Sequence, residues 1–410
     1  MQEQVVLVGC HTSKQSEETF ESSMEELKRL AETVDSNIVA VFTQKRERIQ
    51  PSHYLGKGKT EEIATFIEEN EVDVVIVDQE LSPTQSRNLS NEWEARVIDR
   101  TQLILDIFAM RAQTKEGKLQ VELAQLQYLL PRLHGQGTSL SRLGGGIGTR
   151  GPGETKLESD QRHIRRRITE IKRSIEQVVN QRKQYRERRK KNAAFQIALV
   201  GYTNAGKSTI FNQLGKTDML AEDKLFATLD PKTNKIKLPS GFQPILSDTV
   251  GFIQHLPTTL IAAFRSTLEE VLEADLILHV VDSSNPQIVD QEQTVKDILT
   301  ELGASHIPVL TVYNKSDQTS EDFIPYSTPH ILMSAHRNED MIRLKSKIEE
   351  TLLHYFDAYE VKLNSDQGKK LDTLKRETIV AEESFIKEDE TYHLLGYVHT
   401  HSPLYQELVK

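Results

Sequence analysis

Gly201-Tyr-Thr-Asn-Ala-Gly-Lys-Ser208 follows a short apolar run at 197–200 and opens a helical pattern. It matches G-x-x-x-x-G-K-[ST] in the strand–loop–helix setting that gives the pattern its physical meaning. Successive backbone N–H groups and a helix N-terminus can cradle phosphates there. Gly201 and Gly206 permit the backbone path, and Tyr202, Thr203, Asn204 and Ala205 form the loop between them. Lys207 would bring a cation to the outer phosphates, and the Ser208 hydroxyl would ligate magnesium.

Three further segments follow in order. Asp248-Thr-Val-Gly251 ends a strand at 245–246. Asp248 suits the magnesium shell, through water, and Gly251 lets its N–H approach a γ-phosphate; Thr249 and Val250 lie between them. Asn314-Lys-Ser-Asp317 ends a strand at 309–313. The Asp317 carboxylate can accept from both N1–H and the exocyclic amine of guanine, a donor pair adenine lacks. Lys315 and Ser316 complete that segment. Ser334-Ala335, with His336 after it, follows a strand at 331–333 and fits a backbone contact to the guanine carbonyl. Between the first and second segments stand Phe226, Ala227, Thr228, Leu229 and Asp230. A threonine here would coordinate magnesium only when the γ-phosphate is present, so the segment would order with GTP and loosen with GDP. Thr228 is the candidate, with Thr217 and Thr233 as alternatives. Lys207, Thr228 and Gly251 are therefore the expected catalytic set. Ser208 and Thr228 are the expected metal ligands, with Asp248 acting through water. Phe252 follows Gly251, where a glutamine would orient the attacking water in many regulatory GTPases. Phenylalanine cannot do that, so slow basal turnover is expected and no residue is assigned as base.

The rest of the chain sets the context. Its 410 residues, 37% hydrophobic, suit several domains. No apolar run is long enough to span a bilayer. The single cysteine, Cys10, excludes an internal disulfide framework and a multi-thiolate zinc site. A cytoplasmic monomer is expected. Residues 1–105 alternate strand-like and helix-like runs (5–8, 25–34, 38–42, 60–69, 74–77, 97–98), which predicts a small parallel α/β domain. Residues 106–192 carry two apolar seams, Leu119, Leu123, Leu126, Leu130 and Ile164, Ile168, Ile171, Ile175, Val178. Both have heptad spacing, which predicts an antiparallel helical hairpin. The loop joining them, 134–156, holds 8 of the chain's 20 glycines with Arg142, Arg150 and Lys156. It reads either as an unstructured tip or as a probe for a phosphate-rich partner. The formal net charge is -10, yet residues 161–191 hold 13 Lys+Arg against 3 Asp+Glu. One basic helix on an acidic protein points to a polyanionic partner more than a uniform charge would. Residues 193–357 form the expected P-loop GTPase domain of this α/β fold. Residues 358–410 show a βαββ pattern, a small α+β tail domain. Gly56-Lys-Gly-Lys59 reads as a turn with solvated lysines or as a second phosphate site.

The order and separation of the nucleotide segments resemble the translation-factor-related class of GTPases. Four upstream segments narrow this. Tyr54-Leu-Gly-Lys-Gly-Lys59, Asp99-Arg-Thr-Gln-Leu-Ile-Leu-Asp-Ile-Phe108, Leu123-Ala-Gln-Leu-Gln-Tyr-Leu129 and Gly144-Gly-Gly-Ile-Gly-Thr-Arg-Gly-Pro-Gly-Glu154 resemble signature segments of the HflX family. The likeness runs from residue 1 to about 356, and the Gly-rich segment is its most specific part. It implies a ribosome-associated GTPase that binds GTP and GDP with Mg2+. It also implies binding to the large ribosomal subunit and its rRNA, and separation of stalled or idle ribosomes under stress, with the loop at 134–156 near the peptidyl-transferase region. Likeness to some related GTPases makes Asn204 a candidate ligand for K+, against a purely loop-shaping role. Two other readings stay open: a regulatory switch acting on a protein partner through the hairpin, and an RNA-remodelling GTPase. The basic helix weighs against the first, and the lack of any modifying-enzyme motif against the second.

Overall fold

The computed structural model describes residues 2–133, 156–191, 194–215, 225–226, 228–229, 231–253, 270–320, 322–387 and 389–409, with the side chains of 156–157 and 180–191 excepted. The Gly-rich segment with Arg142 and Arg150, and also Thr217, Ala227 and Asp230, lie outside them. The described residues divide into two compact units, one up to residue 178 and the other from residue 179 on. Among the described residues no helix is long and apolar enough to cross a membrane.

The first unit holds a four-stranded parallel sheet in the order β2-β1-β3-β4. Its strands are β1 (Gln4–Thr12), β2 (Asn37–Arg46), β3 (Val74–Val77) and β4 (Arg96–Asp99). A central parallel strand covered on both faces must be apolar, as β3 is throughout and β1 is over Val5–Val8. β2 lies at the edge and alternates between exposed and half-buried residues. Helix α1 (Glu17–Thr33) starts earlier than the apolar pattern suggests, because Ser16 accepts the Thr19 N–H and Glu17 and Glu18 suit the N-terminal dipole. Helix α2 is Lys57–Glu69. Helix α3 (Pro83–Trp93), absent from the sequence reading, begins at a reciprocal capping box between Ser82 and Gln85. Its Trp93 indole donates to the Thr60 carbonyl at 3.0 Å. Gly56 caps α2, and its N–H goes to Gln44 Oε1 at 2.8 Å. Lys57 and Lys59 sit in the first helical turn opposite Glu61 (3.7 Å) and Glu62 (2.8 Å). These lysines thus stand on a helix, already ion-paired, rather than in a turn.

Helix α4 (Arg100–Arg111) leads to α5 (Lys115–Arg132), and α6 spans Lys156–Lys191. The leucine seam of α5 is only half-buried. Its most buried side is Glu116, Gly117, Gln120, Val121 and Ala124, and the small Gly117 and Ala124 there leave room for close packing. On α6, Ile171 is the deepest seam position, at 1% exposure. Arg167 joins the two helices by a bidentate pair with Glu122, at 2.7 and 2.9 Å.

The second unit is built on a six-stranded sheet in the order β10-β9-β8-β5-β7-β6. Strands β5 (Gln196–Gly201), β7 (Ile245–Asp248), β8 (Leu276–Asp282), β9 (Val309–Asn314) and β10 (His330–Leu332) are parallel. β6 (Lys232–Lys235) closes the edge antiparallel. Helices α7 (Lys207–Gly215), α8 (Ile288–Glu301) and α9 (Asn338–Leu353) accompany these strands. The core runs from Ile197 and Leu199 through Leu278 and Val312 to Leu344. Each such side chain contributes about 1.5–3 kcal/mol on burial. The tail has the expected βαββ order: β11 (Phe356–Asn364), α10 (Gly368–Glu377), β12 (Ile379–Ile386) and β13 (Thr391–His399), with a short α11 (Tyr405–Leu408). Its antiparallel sheet is ordered β11-β13-β12. Phe356 and Ile379 belong to the same core as Phe195 and Phe242, so the two sheets share one apolar interior.

Candidate functional site

All four motif segments follow the carboxyl ends of parallel strands: residues 202–206 after β5, 249–251 after β7, 315–317 after β9 and 334–336 beyond β10. In a doubly wound sheet this is where ligands bind. The backbone of the first loop is tightly enclosed. Gly206 has φ +94°, and a Cβ there would lie 2.2 Å from Asn314 Nδ2. A Cβ on Gly251 would lie 2.8 Å from Thr203 Cα and 2.9 Å from Lys207 Nζ. Both positions need glycine because another part of the site occupies the space. Phe252 zips this approach together: its N–H donates to the Gly201 carbonyl at 3.0 Å, and Thr203 N–H donates to the Phe252 carbonyl at 2.8 Å. The Phe252 side chain is 3% exposed, so it presents no polar group to a water.

Lys207 opens α7 and folds back over the loop, its ammonium donating to the carbonyls of Gly201 (3.1 Å) and Tyr202 (2.7 Å). Burial pulls its pKa down to about 8, against the opposing pull of Asp248. Anionic phosphates beside it would reverse that shift.

The magnesium question has a direct structural test. Ser208 Oγ lies 2.9 Å from Asp248 Oδ2 and 3.0 Å from Thr228 Oγ1, and Thr228 Oγ1 donates to the same Oδ2 at 2.8 Å. Three oxygens from three segments therefore converge. The other carboxylate oxygen, Asp248 Oδ1, is buried without a hydrogen-bond partner. Burial raises the pKa of this carboxyl, and Lys207, Thr228 and Ser208 only partly offset it. A hard cation with oxygen ligands fits this donor set. Thr233 instead lies on β6, paired with Ser247. Thr249 and Val250 are buried, and the Thr249 hydroxyl donates to the Leu199 carbonyl at 2.6 Å. Phe226 and Leu229 are also core residues, Phe226 at φ +55°.

At the base-reading end, Asp317 is exposed. A hydrogen bond from Ser334 holds its carboxyl below the usual range, with His336 and Arg337 adding to the effect. It is therefore an ionised acceptor at neutral pH. Asn314 acts as a tether: its Nδ2 donates to the Ala205 carbonyl at 2.9 Å, and its Oδ1 accepts the Ala335 N–H at 2.9 Å. The Ser334-Ala335 segment thus stands beside Asn314, held by the Ala335 N–H. Asn204 sits at φ +60° in the loop, and Ser316 N–H donates to the Met333 carbonyl.

Three supporting residues escaped the sequence reading. Asp282 pairs with Lys315 at 2.7 Å. Ser283 donates to the Asn314 carbonyl at 2.6 Å. Asp340 accepts the Ser334 N–H at 2.9 Å. Only Asp282 carried a signal, as an acid at the end of an apolar strand.

Residues 21–109 match a family described as GTP-binding GTPase N-terminal, and residues 111–189 one described as GTP-binding GTPase Middle Region. Residues 196–315 match one described as 50S ribosome-binding GTPase. A relative named GTPase HflX from Alkalihalophilus pseudofirmus is 56% identical, over 99% of this chain and 96% of its own. The protein of that name from Escherichia coli is 47% identical over 79% and 75%. Among solved structures, a GTP-binding protein from Sulfolobus solfataricus in complex with GDP aligns over 86% of this chain and 99% of its own, at 24% identity and a TM-score of 0.47.

Proposed function

We propose that this chain, which belongs to the HflX family and hydrolyses GTP, uses its GTP-bound state to bind the large ribosomal subunit and to separate stalled or idle ribosomes in the cytosol under stress. The observation that carries the ribosomal part is the outer face of α6. Arg162, Arg165, Arg166, Lys172 and Arg173 are all exposed there, on a protein of net charge -10. Basic side chains in such an array suit a phosphate backbone, with affinity that falls steeply with salt. The description of residues 196–315 as a 50S ribosome-binding GTPase points the same way.

In this reading Ser208 and Thr228 would hold Mg2+, with Asp248 orienting the shell through water and its lone Oδ1. When bound, magnesium neutralises charge on the β- and γ-phosphates. Lys207 would turn from its own loop carbonyls to the outer phosphates. Gly251 would offer its N–H to the γ-phosphate, and Asp317 would select guanine. Thr228 joins the site only through its own segment, so that segment reports whether the γ-phosphate is present. Phe252 orients no water, so basal hydrolysis is slow and the ribosome completes the site. Separation would therefore follow GTP binding, and release would follow hydrolysis. The glycine-rich segment before α6 would carry the ribosome-directed work.

Sedimentation of ribosomes with the protein on sucrose gradients tests this. GTP and a non-hydrolysable analogue should both yield free subunits, and GDP should not. Replacing residues 138–153 by a short neutral linker should abolish separation and leave basal turnover intact. Intact ribosomes under every nucleotide would discard the proposal in favour of a switch acting on a protein partner.

A further inference from the structure

A second polar cluster lies at the other end of the six-stranded sheet, where β5 and β8 begin. Strand β13 ends at His399, and the following turn, closed by Ser402 N–H to the His399 carbonyl at 2.9 Å, sets His401 beside it. Their ring centroids are 5.0 Å apart. Asp275 comes from a distant part of the chain, immediately before β8. It is fixed by two bonds to the first residue of β5: its N–H donates to the Gln196 carbonyl, and its Oδ2 accepts the Gln196 N–H, both at 2.8 Å. One ligand atom from each of Asp275, His399 and His401 can be chosen so that all three lie within 4.8 Å of one another.

The His399 ring is not free to wander. It meets Phe195 edge-on at 5.2 Å and 88°, and Phe356 at 5.3 Å. These rings join the two sheets, so His399 is presented by the shared core. His401 is exposed on its turn and is the member able to move. Zinc bonds of about 2.0–2.1 Å require donor atoms about 3.4 Å apart, so closure asks for a shift of about 1.4 Å at most.

We propose that Asp275, His399 and His401 form a binding site for a divalent transition metal of the zinc type, with a fourth position open to water. Two imidazoles and a carboxylate suit Zn2+ and its neighbours better than Mg2+ or Ca2+, which take all-oxygen shells. This is not the nucleotide magnesium: the phosphate loop follows Gly201 at the far end of β5, whereas Asp275 is bonded to Gln196 at its start. A metal here would clamp the end of β13 in the tail to the start of β8. Binding would appear as stability of the second unit.

The test uses the full chain, stripped of metal and then supplied with magnesium and GDP to fill the nucleotide site. Zinc is titrated against a chromophoric chelator, and thermal unfolding is followed in parallel. The expected result is one equivalent of zinc bound, a raised Tm, and no competition from excess magnesium. His401→Ala removes the exposed ligand and should weaken zinc binding at least about tenfold and erase the Tm rise. Asp275→Asn keeps an acceptor for Gln196 and should do the same without unfolding the chain. His306→Ala, an exposed histidine elsewhere, should change neither. Zinc binding that is absent, or equal in wild type and His401→Ala, would overturn the proposal and leave the cluster an ordinary polar contact.

Discussion

The parallel strands of the two larger sheets end in opposite ways at their carboxyl edges. In the six-stranded sheet, Asp248 keeps one buried oxygen without a partner, and Lys207 hangs on backbone carbonyls. In the four-stranded sheet, the strand order reverses between β1 and β3, which is also where a doubly wound fold offers a crevice. There Asp78, after β3, receives Arg100 Nη1 at 2.8 Å and Ser23 Oγ at 2.8 and 3.1 Å. Arg100 also pairs with Glu26 and donates to the Ser23 carbonyl. Arg100 and Asp78 are 3% and 4% exposed. One edge answers its charges from within the protein; the other leaves them for a cation and an anion. Topology supplies a place for a ligand, and only unspent polar groups make it a site.

The comparison can be broken at either end. Arg100→Met should leave Asp78 and Glu26 buried without their cation. It should cost about 3–5 kcal/mol of stability in urea titrations, while the second unit still binds GTP. A loss near zero would mean the network is not a closed structural pair.

Asp248→Asn should act the other way. Turnover of Mg-GTP, followed by phosphate release, should fall by about 100-fold or more, yet the nucleotide-free protein should not lose stability. The sign follows from the raised carboxyl pKa. An acid that binds its proton more tightly when folded opposes folding while ionised, and is relieved as pH falls through the folded pKa. Wild-type, nucleotide-free protein should therefore gain stability on mild acidification, and the Asn variant should lack that part of the gain. A variant much less stable than wild type at pH 7 would contradict the uncompensated charge.

The smallest expected effect concerns Asn204. With Phe252 buried and apolar, a monovalent cation held by the Asn204 side chain would supply charge stabilisation that Phe252 cannot. Hydrolysis should run about tenfold faster in potassium than in sodium chloride. Equal rates would assign Asn204 to loop shape alone.

What the sequence revealed and what it hid have physical causes. Phosphate and guanine chemistry demand fixed residue types at fixed offsets from strand ends, so Lys207, Ser208, Asp248 and Asp317 stood out as candidates, and each lies at or just after the end of a parallel strand. The parallel strands declared themselves where burial on both faces makes them apolar, as in β3, whereas the edge position of β2 blurred its length. Helix α3 was hidden because its apolar face is sparse and its start lies in a capping box. The leucine seam of α5 did not mark its most buried face, since Gly117 and Ala124 bury deeper than the leucines do. Asp282 supports the site through Lys315, 33 residues away, a relation no spacing rule contains, and Asp340 through a backbone N–H that no side-chain pattern marks. The Asp275–His399–His401 cluster was invisible for the same reason.

The central claim is that guanine nucleotide, read by Asp317, drives the action on ribosomes. Its most direct test is subunit separation on sucrose gradients by Asp317→Asn, supplied in turn with GTP and with xanthosine triphosphate, whose ring carbonyl replaces the amine donor. The variant should give little separation with GTP and full separation with xanthosine triphosphate, and wild type the reverse preference. Undiminished separation by the variant with GTP would contradict it.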